Sequence, residues 1–159
     1  MKKKTSKYIF LSIYLILILI FYFFTLRSGE ESIKDSSLTT NIVLGVLRSF
    51  TFNKVKFDYE IIHHITRKMI GHYGYNLIIG LFGFLTVYSF KGIGKYSLII
   101  SLVLGLVIAV SGELLQYIPA NRGPGPIDML INYFGEVTGI LLVYDIVLFR
   151  QNKQKSQFI

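Results

Sequence analysis

The sequence predicts an all-α membrane protein: four transmembrane helices in one bundle, with an amphipathic helical segment between the first and the second. Three observations carry this reading. Of 159 residues, 52% are hydrophobic, and the mean hydropathy is +0.54, above that of a soluble domain of this size. Four apolar runs of spanning length are separated by links rich in Gly, Pro or basic residues. The formal net charge of +8 comes from Lys and Arg that flank those runs, as in proteins that meet anionic headgroups. That distribution makes lipid the expected partner and excludes nucleic acid. The length fits a single domain, 1–159. With no cysteine, disulfides, thiolate metal sites and cysteine nucleophiles are ruled out.

The first apolar run, about 8–26, follows the lysine-rich start MKKKTSK. It is too long for a signal-peptide core and FFTLRSG carries no small-residue cleavage site, so an uncleaved span is expected. Residues 27–71 form a polar connection long enough to need structure of its own. Within it, Ser36, Ser37, Thr39 and Thr40 precede NIVLGVLRSF as a short capped helix. Asp58 caps a second, DYEIIHHITRKMI, whose Ile61, Ile62, Ile65, Met69 and Ile70 recur at helical spacing. This segment reads either as an amphipathic helix in the headgroup region or as a loop helix packed on the bundle.

The remaining spans are expected at about 72–90, 97–118 and 128–149. The turn KGIGK separates the first two, and PANRGPGPI, which cannot continue a helix, separates the last two. These short links make the three helices antiparallel neighbours. Four spans put both termini and the 91–96 turn on one side. Nine of the 17 basic residues lie there, tight against helix ends, so both termini are expected in the cytoplasm. The 27–71 segment and the Arg122 turn then face outward.

Polar residues cluster at that outer end. Glu113 and Gln116 are three apart near the end of the third span, and Asp128 and Asn132 are four apart at the start of the fourth. His72, preceded by Arg67 and Lys68, enters the second span from the same side. The set can converge at one membrane depth, and intramembrane polar groups are costly enough to demand a reason.

Several reasons are open. Asp128 could cap its helix, Glu113 could pair with Arg122 or Lys68, and Gln116 and Asn132 could serve only as interhelical hydrogen bonds. Alternatively the set is a site. His72 and Glu113 are then the acid–base candidates, Arg67, Lys68 and Arg122 are anion receptors, and Gln116, Asp128 and Asn132 contact the ligand. Gly135 and Gly139 form a small-residue packing surface. His63 and His64 are read as interfacial and without a role, and Glu136 and Asp145 as pairing locally or snorkelling. No metal and no cofactor are expected.

The pattern Glu113-x-x-Gln116, Arg122, Asp128-x-x-x-Asn132-x-x-Gly135-x-x-x-Gly139 resembles the signature of the VanZ-like family. RKMIGHYGYNLIIGLFGF adds a weaker block through Arg67, Lys68, Gly71 and His72. The resemblance is strongest over 60–145, and the proline-expanded turn NRGPGPI departs from the pattern. It implies a multi-pass protein of the bacterial cytoplasmic membrane associated with low-level resistance to teicoplanin and related lipoglycopeptides. It implies no reaction. Three functions are compatible with the residues: binding of membrane lipids or a lipid-linked cell-wall precursor through its anionic part, a hydrolase or transferase acting on a lipid phosphate, and a structural membrane partner.

Overall fold

Among the described residues, four helices are long and apolar enough to cross a membrane. A computed structural model describes residues 2–52 and 54–156, without the side chains of residues 2–5 and 155; Lys2, Lys3, Lys4 and Lys155, part of the basic clusters counted above, therefore lie outside the described side chains. The elements are α1 (Lys2–Thr25), α2 (Gly29–Phe50), α3 (Tyr59–Thr66), a π-helical segment (Arg67–Gly74), α4 (Tyr75–Lys91), α5 (Lys95–Leu115) and α6 (Pro126–Ser156). The stretch from α3 through the π segment to α4 is one helix, Tyr59–Lys91.

Four boundaries differ from the sequence expectation, each for a local reason. α2 begins at Gly29, capped by Ser28, rather than after Thr40. Ser28 and Glu31 form a capping box, while the Ser36, Ser37 and Thr40 hydroxyls bond back to carbonyls of their own helix. The second span has no break before His72, because Arg67–Gly74 continues the helix with π geometry. α5 ends at Leu115, and tighter bonds between residues three apart (Gln116 to Glu113, Tyr117 to Leu114, Ile118 to Leu115) close it. α6 starts with Pro126, a residue suited to a first helical turn, and runs to Ser156 instead of stopping near 149. Asp58 caps α3 by accepting from the Glu60 and Ile61 amides.

α4 is the centre of the bundle and packs on α1, α5 and α6. One apolar cluster joins Tyr14 and Phe21 of α1 to Ile79 and Ile108, and a second joins Phe84 to Ile140 and Val143 of α6. Lipid is as apolar as leucine, so close van der Waals packing replaces the hydrophobic effect between such helices. Glycine makes it possible here. A Cβ at Gly80 would collide with the Glu136 backbone, one at Gly135 with the Tyr73 carbonyl and one at Gly139 with the Leu77 carbonyl. The turn from α4 to α5 passes through Gly92 at φ 77°, left-handed backbone that disfavours other residues. Leu19, Phe23, Val107 and Phe134 remain exposed on the outside, as a lipid-facing surface requires.

The C-terminal ends of α1 and α5, the N-terminal ends of α2 and α6, and the π segment meet at one end of the bundle. A hydrogen bond from the Gly29 amide to the Ala120 carbonyl, 3.1 Å, ties the two loops there. His63 is not idle: its Nδ1 lies 3.0 Å from the Thr40 hydroxyl and its Nε2 3.4 Å from that of Ser36, holding α3 to α2.

Candidate functional site

The π segment decides which side chains face inward. In a regular α-helix Arg67 and His72 would point about 140° apart, at ~100° per residue. The i→i+5 pattern of a π-helix stacks them, and both line the same cavity. His72 is thereby buried among α4, α5 and α6 while Lys68 reaches the start of α6.

Asn132 stands at the centre of the buried polar groups. Its side-chain amide donates to Glu113 Oε1 at 2.9 Å, and its carbonyl accepts from Asn76 Nδ2 at 2.9 Å. His72 Nδ1 lies 3.0 Å from the same carbonyl. Chemistry assigns the roles: an ionised carboxylate can only accept, so Nδ2 of Asn132 faces Glu113, and Nδ1 of His72 must carry the proton it donates. The other oxygen of Glu113 accepts from the Gly125 amide at 3.1 Å, which fixes the loop ahead of α6. Glu113, Asn132 and Asn76 have no exposed surface. Such a network is costly when broken and rigid when complete.

Around it lie the charged residues. Asp128 is in the first turn of α6, not at its cap. It pairs with Lys68 at 3.6 Å, and its other oxygen stands 3.9 Å from His72 Nε2. Glu113 is 3.8 Å from His72 Nδ1 and makes no ion pair with Arg122 or Lys68. Arg122 bonds Gln116 Oε1 through Nε at 3.0 Å and the Phe24 and Arg27 carbonyls at 3.0 and 3.3 Å. It therefore closes the C-terminal end of α1. Burial, then the neighbouring Arg67 charge, draws the Arg122 pKa below the usual guanidinium value, and the Glu113 and Asp128 carboxylates oppose this. Among the described residues, neither Arg67 nor Arg122 has a carboxylate partner within ion-pair distance.

A cavity of about 280 Å³ opens between these groups. Arg67, His72, Glu113, Gln116 and Arg122 line it from the bundle, and Ser32, Asp35, Ser36 and Thr39 from α2. Lys68, Asp128 and Asn132 stand behind the wall, holding His72 and Glu113. Gly135 and Gly139 lie deeper, in the α4–α6 contact. Among the described residues no three His, Asp or Glu side chains are gathered as a metal site would need.

Two features escaped the sequence reading. Asn76 was visible as a polar residue four after His72, on the same helical face, but sat inside an apolar run. The α2 wall could not be anticipated, because that helix was expected to begin later. Glu136 corrects a third expectation. Instead of pairing or snorkelling it is buried, with Oε1 unbonded and Oε2 filling the space that glycine leaves at position 105.

A family model described as VanZ/LLP1 matches residues 11–150, most of the chain. The chain belongs to the VanZ/LLP1 family. The match takes in α2, every residue of the polar network and the greater part of all four spans. Neither a curated protein nor a solved structure matches the chain.

Proposed function

We propose that this VanZ/LLP1-family membrane protein is of the type associated with low-level teicoplanin and lipoglycopeptide resistance, and that it binds the anionic headgroup of a lipid-linked cell-envelope component. One observation carries the binding reading: two arginines without carboxylate partners share a largely apolar cavity at one end of a membrane bundle. Next to them two other cations are neutralised, Arg27 by Asp35 at 2.9 Å and Lys68 by Asp128. Unneutralised guanidinium groups suit a phosphate, which they bind bidentately. Basic residues against the ends of the spans support cytoplasmic termini, an orientation in which the cavity faces the outer leaflet. Sequestering a lipid-linked precursor there would reduce the access of a membrane-anchored drug to its target.

Mass spectrometry of lipids retained by the purified protein tests this. Arg67→Ala is the cleaner variant, because Arg122→Ala also unties α1. The lost charge-assisted hydrogen bonds, worth ~1.5–3 kcal/mol, predict at least about a tenfold fall in retained anionic lipid at unchanged folding. Equal retention sinks the reading. The leaflet has a separate check. The chain has no cysteine, and Gly123 is exposed with open space for a side chain. Gly123→Cys is therefore expected to react with an impermeant maleimide added to intact cells, and protection there would put the cavity on the inner face.

A second reading is favoured by His72, whose ring lies between Glu113 and Asp128 on the cavity wall. In a hydrolase or transferase acting on a lipid phosphate, Nε2 would be the group that takes up or gives a proton. Turnover of the retained lipid by wild type, lost in His72→Gln with retention intact, distinguishes it from binding alone.

A further inference from the structure

We propose that the headgroup held in the cavity is a sugar or polyol phosphate, its hydroxyls read by Ser32, Asp35 and Thr39 of α2; this rests on the anion-binding reading of the same cavity. Ser32, Asp35, Ser36 and Thr39 recur at three and four residues, one face of α2, and all four line the cavity with Arg67 and Arg122. Their hydroxyls are not equivalent. Ser36 is already bonded to two carbonyls of its own helix and to His63. Ser32 and Thr39 make no side-chain hydrogen bond to any described residue. A hydroxyl can donate and accept at once, and two of them left open on a cavity wall are suited to ligand hydroxyls.

Asp35 makes the argument sharper. A carboxylate on the wall of a site for bare phosphate would oppose binding, and Arg27 offsets it only from one side, at 2.9 Å. Ligand O–H groups, which donate to a carboxylate, turn the same residue into a favourable contact. Size agrees. A cavity of about 280 Å³ is larger than the five heavy atoms of a phosphate group need, which leaves room for further headgroup atoms. The rest of the lining provides for a chain: Phe24 and Ile70 border the cavity and are each about half exposed on the outside of the bundle, so an acyl or prenyl tail can leave between α1 and the π segment.

The full-length protein in detergent, examined by native mass spectrometry with two probes of identical acyl chains, tests this. Dioleoyl phosphatidic acid offers a phosphate alone, and dioleoyl phosphatidylinositol a phosphate with a polyol ring. Wild type is expected to retain phosphatidylinositol at least about tenfold better, since a site built to bond hydroxyls discriminates against ligands that lack them. Ser32→Ala/Thr39→Val is expected to bring the preference within about twofold, with phosphatidic acid retained as before, which also shows that the variant is folded. Equal retention by wild type, or preference for phosphatidic acid, overturns the polyol inference and leaves phosphate binding standing. Retention of neither lipid overturns both. Soluble inositol 1-phosphate separates the sources: displacement at equimolar concentration supports recognition of a free polyol phosphate, and displacement only in large excess supports the lipid-linked form.

Discussion

Asn132→Leu is expected to destabilise the folded bundle by about 3–5 kcal/mol, the range for stranding a buried charge. Leucine has the same branched heavy-atom skeleton, so no cavity is left behind. The asparagine amide serves three helices at once, donating to Glu113 of α5 and accepting from Asn76 of α4 and His72 of the π segment. Without it Glu113 Oε1 keeps no hydrogen-bond donor, only the His72 ring at 3.8 Å. Interhelical hydrogen bonds in membranes often measure only ~0.6 kcal/mol, because the separated helices find other partners. The carboxylate decides the sign and size here: it has no exposed surface and no lysine or arginine within ion-pair distance. Reversible unfolding in bicelles, wild type against variant, gives the number. A loss below about 1 kcal/mol would mean that Glu113 finds another donor and that Asn132 does not hold the site together.

The spans were legible because length and hydropathy report directly on the bilayer, whose thickness sets both. The details that shape the site were not, and the reasons differ from residue to residue. Ser36, Ser37, Thr39 and Thr40 looked like a helix start because hydroxyl residues favour caps. Inside a helix three of the four instead bond their own carbonyls, and the working signal was the pair Ser28 and Glu31. The π segment has no readable period of its own, since Gly71 and Gly74 in RKMIGHYG weaken a helix without saying which helical geometry replaces it, yet it decides that Arg67 shares a cavity with His72. The convergence of His72, Glu113 and Asn132 followed from helical spacing once the spans were antiparallel. The direction of Arg122 did not, because a loop with prolines at 119 and 124 has no period to extrapolate. Its guanidinium ends on Gln116 and on α1, a partner that no pairwise reading of charges would have chosen.

The same network predicts a rescue. Glu113→Gln alone looks conservative and is not, because both oxygens of Glu113 accept, one from Asn132 and one from Gly125. The glutamine NH₂ must face one of those donors, and an unmatched buried donor costs ~1–3 kcal/mol. Asn132→Asp alone sets a second carboxylate against Glu113 and is expected to cost at least as much. Combined, the two changes restore every bond. The carboxylate introduced at position 132 accepts from His72, from Asn76 and from the new amide at position 113, whose carbonyl in turn accepts from Gly125. The double variant is therefore expected to be more stable than either single one, with a coupling of about 1–3 kcal/mol in a double-mutant cycle. Additive losses would show that the hydrogen-bond directions assigned to Asn132 are wrong. The double variant also separates structure from chemistry, because it keeps one carboxylate in the network and moves it from α5 to α6. If Glu113 serves only to hold Asn132 and the loop at Gly125, headgroup retention returns together with stability. If its charge acts on the ligand across the cavity, stability returns and retention does not.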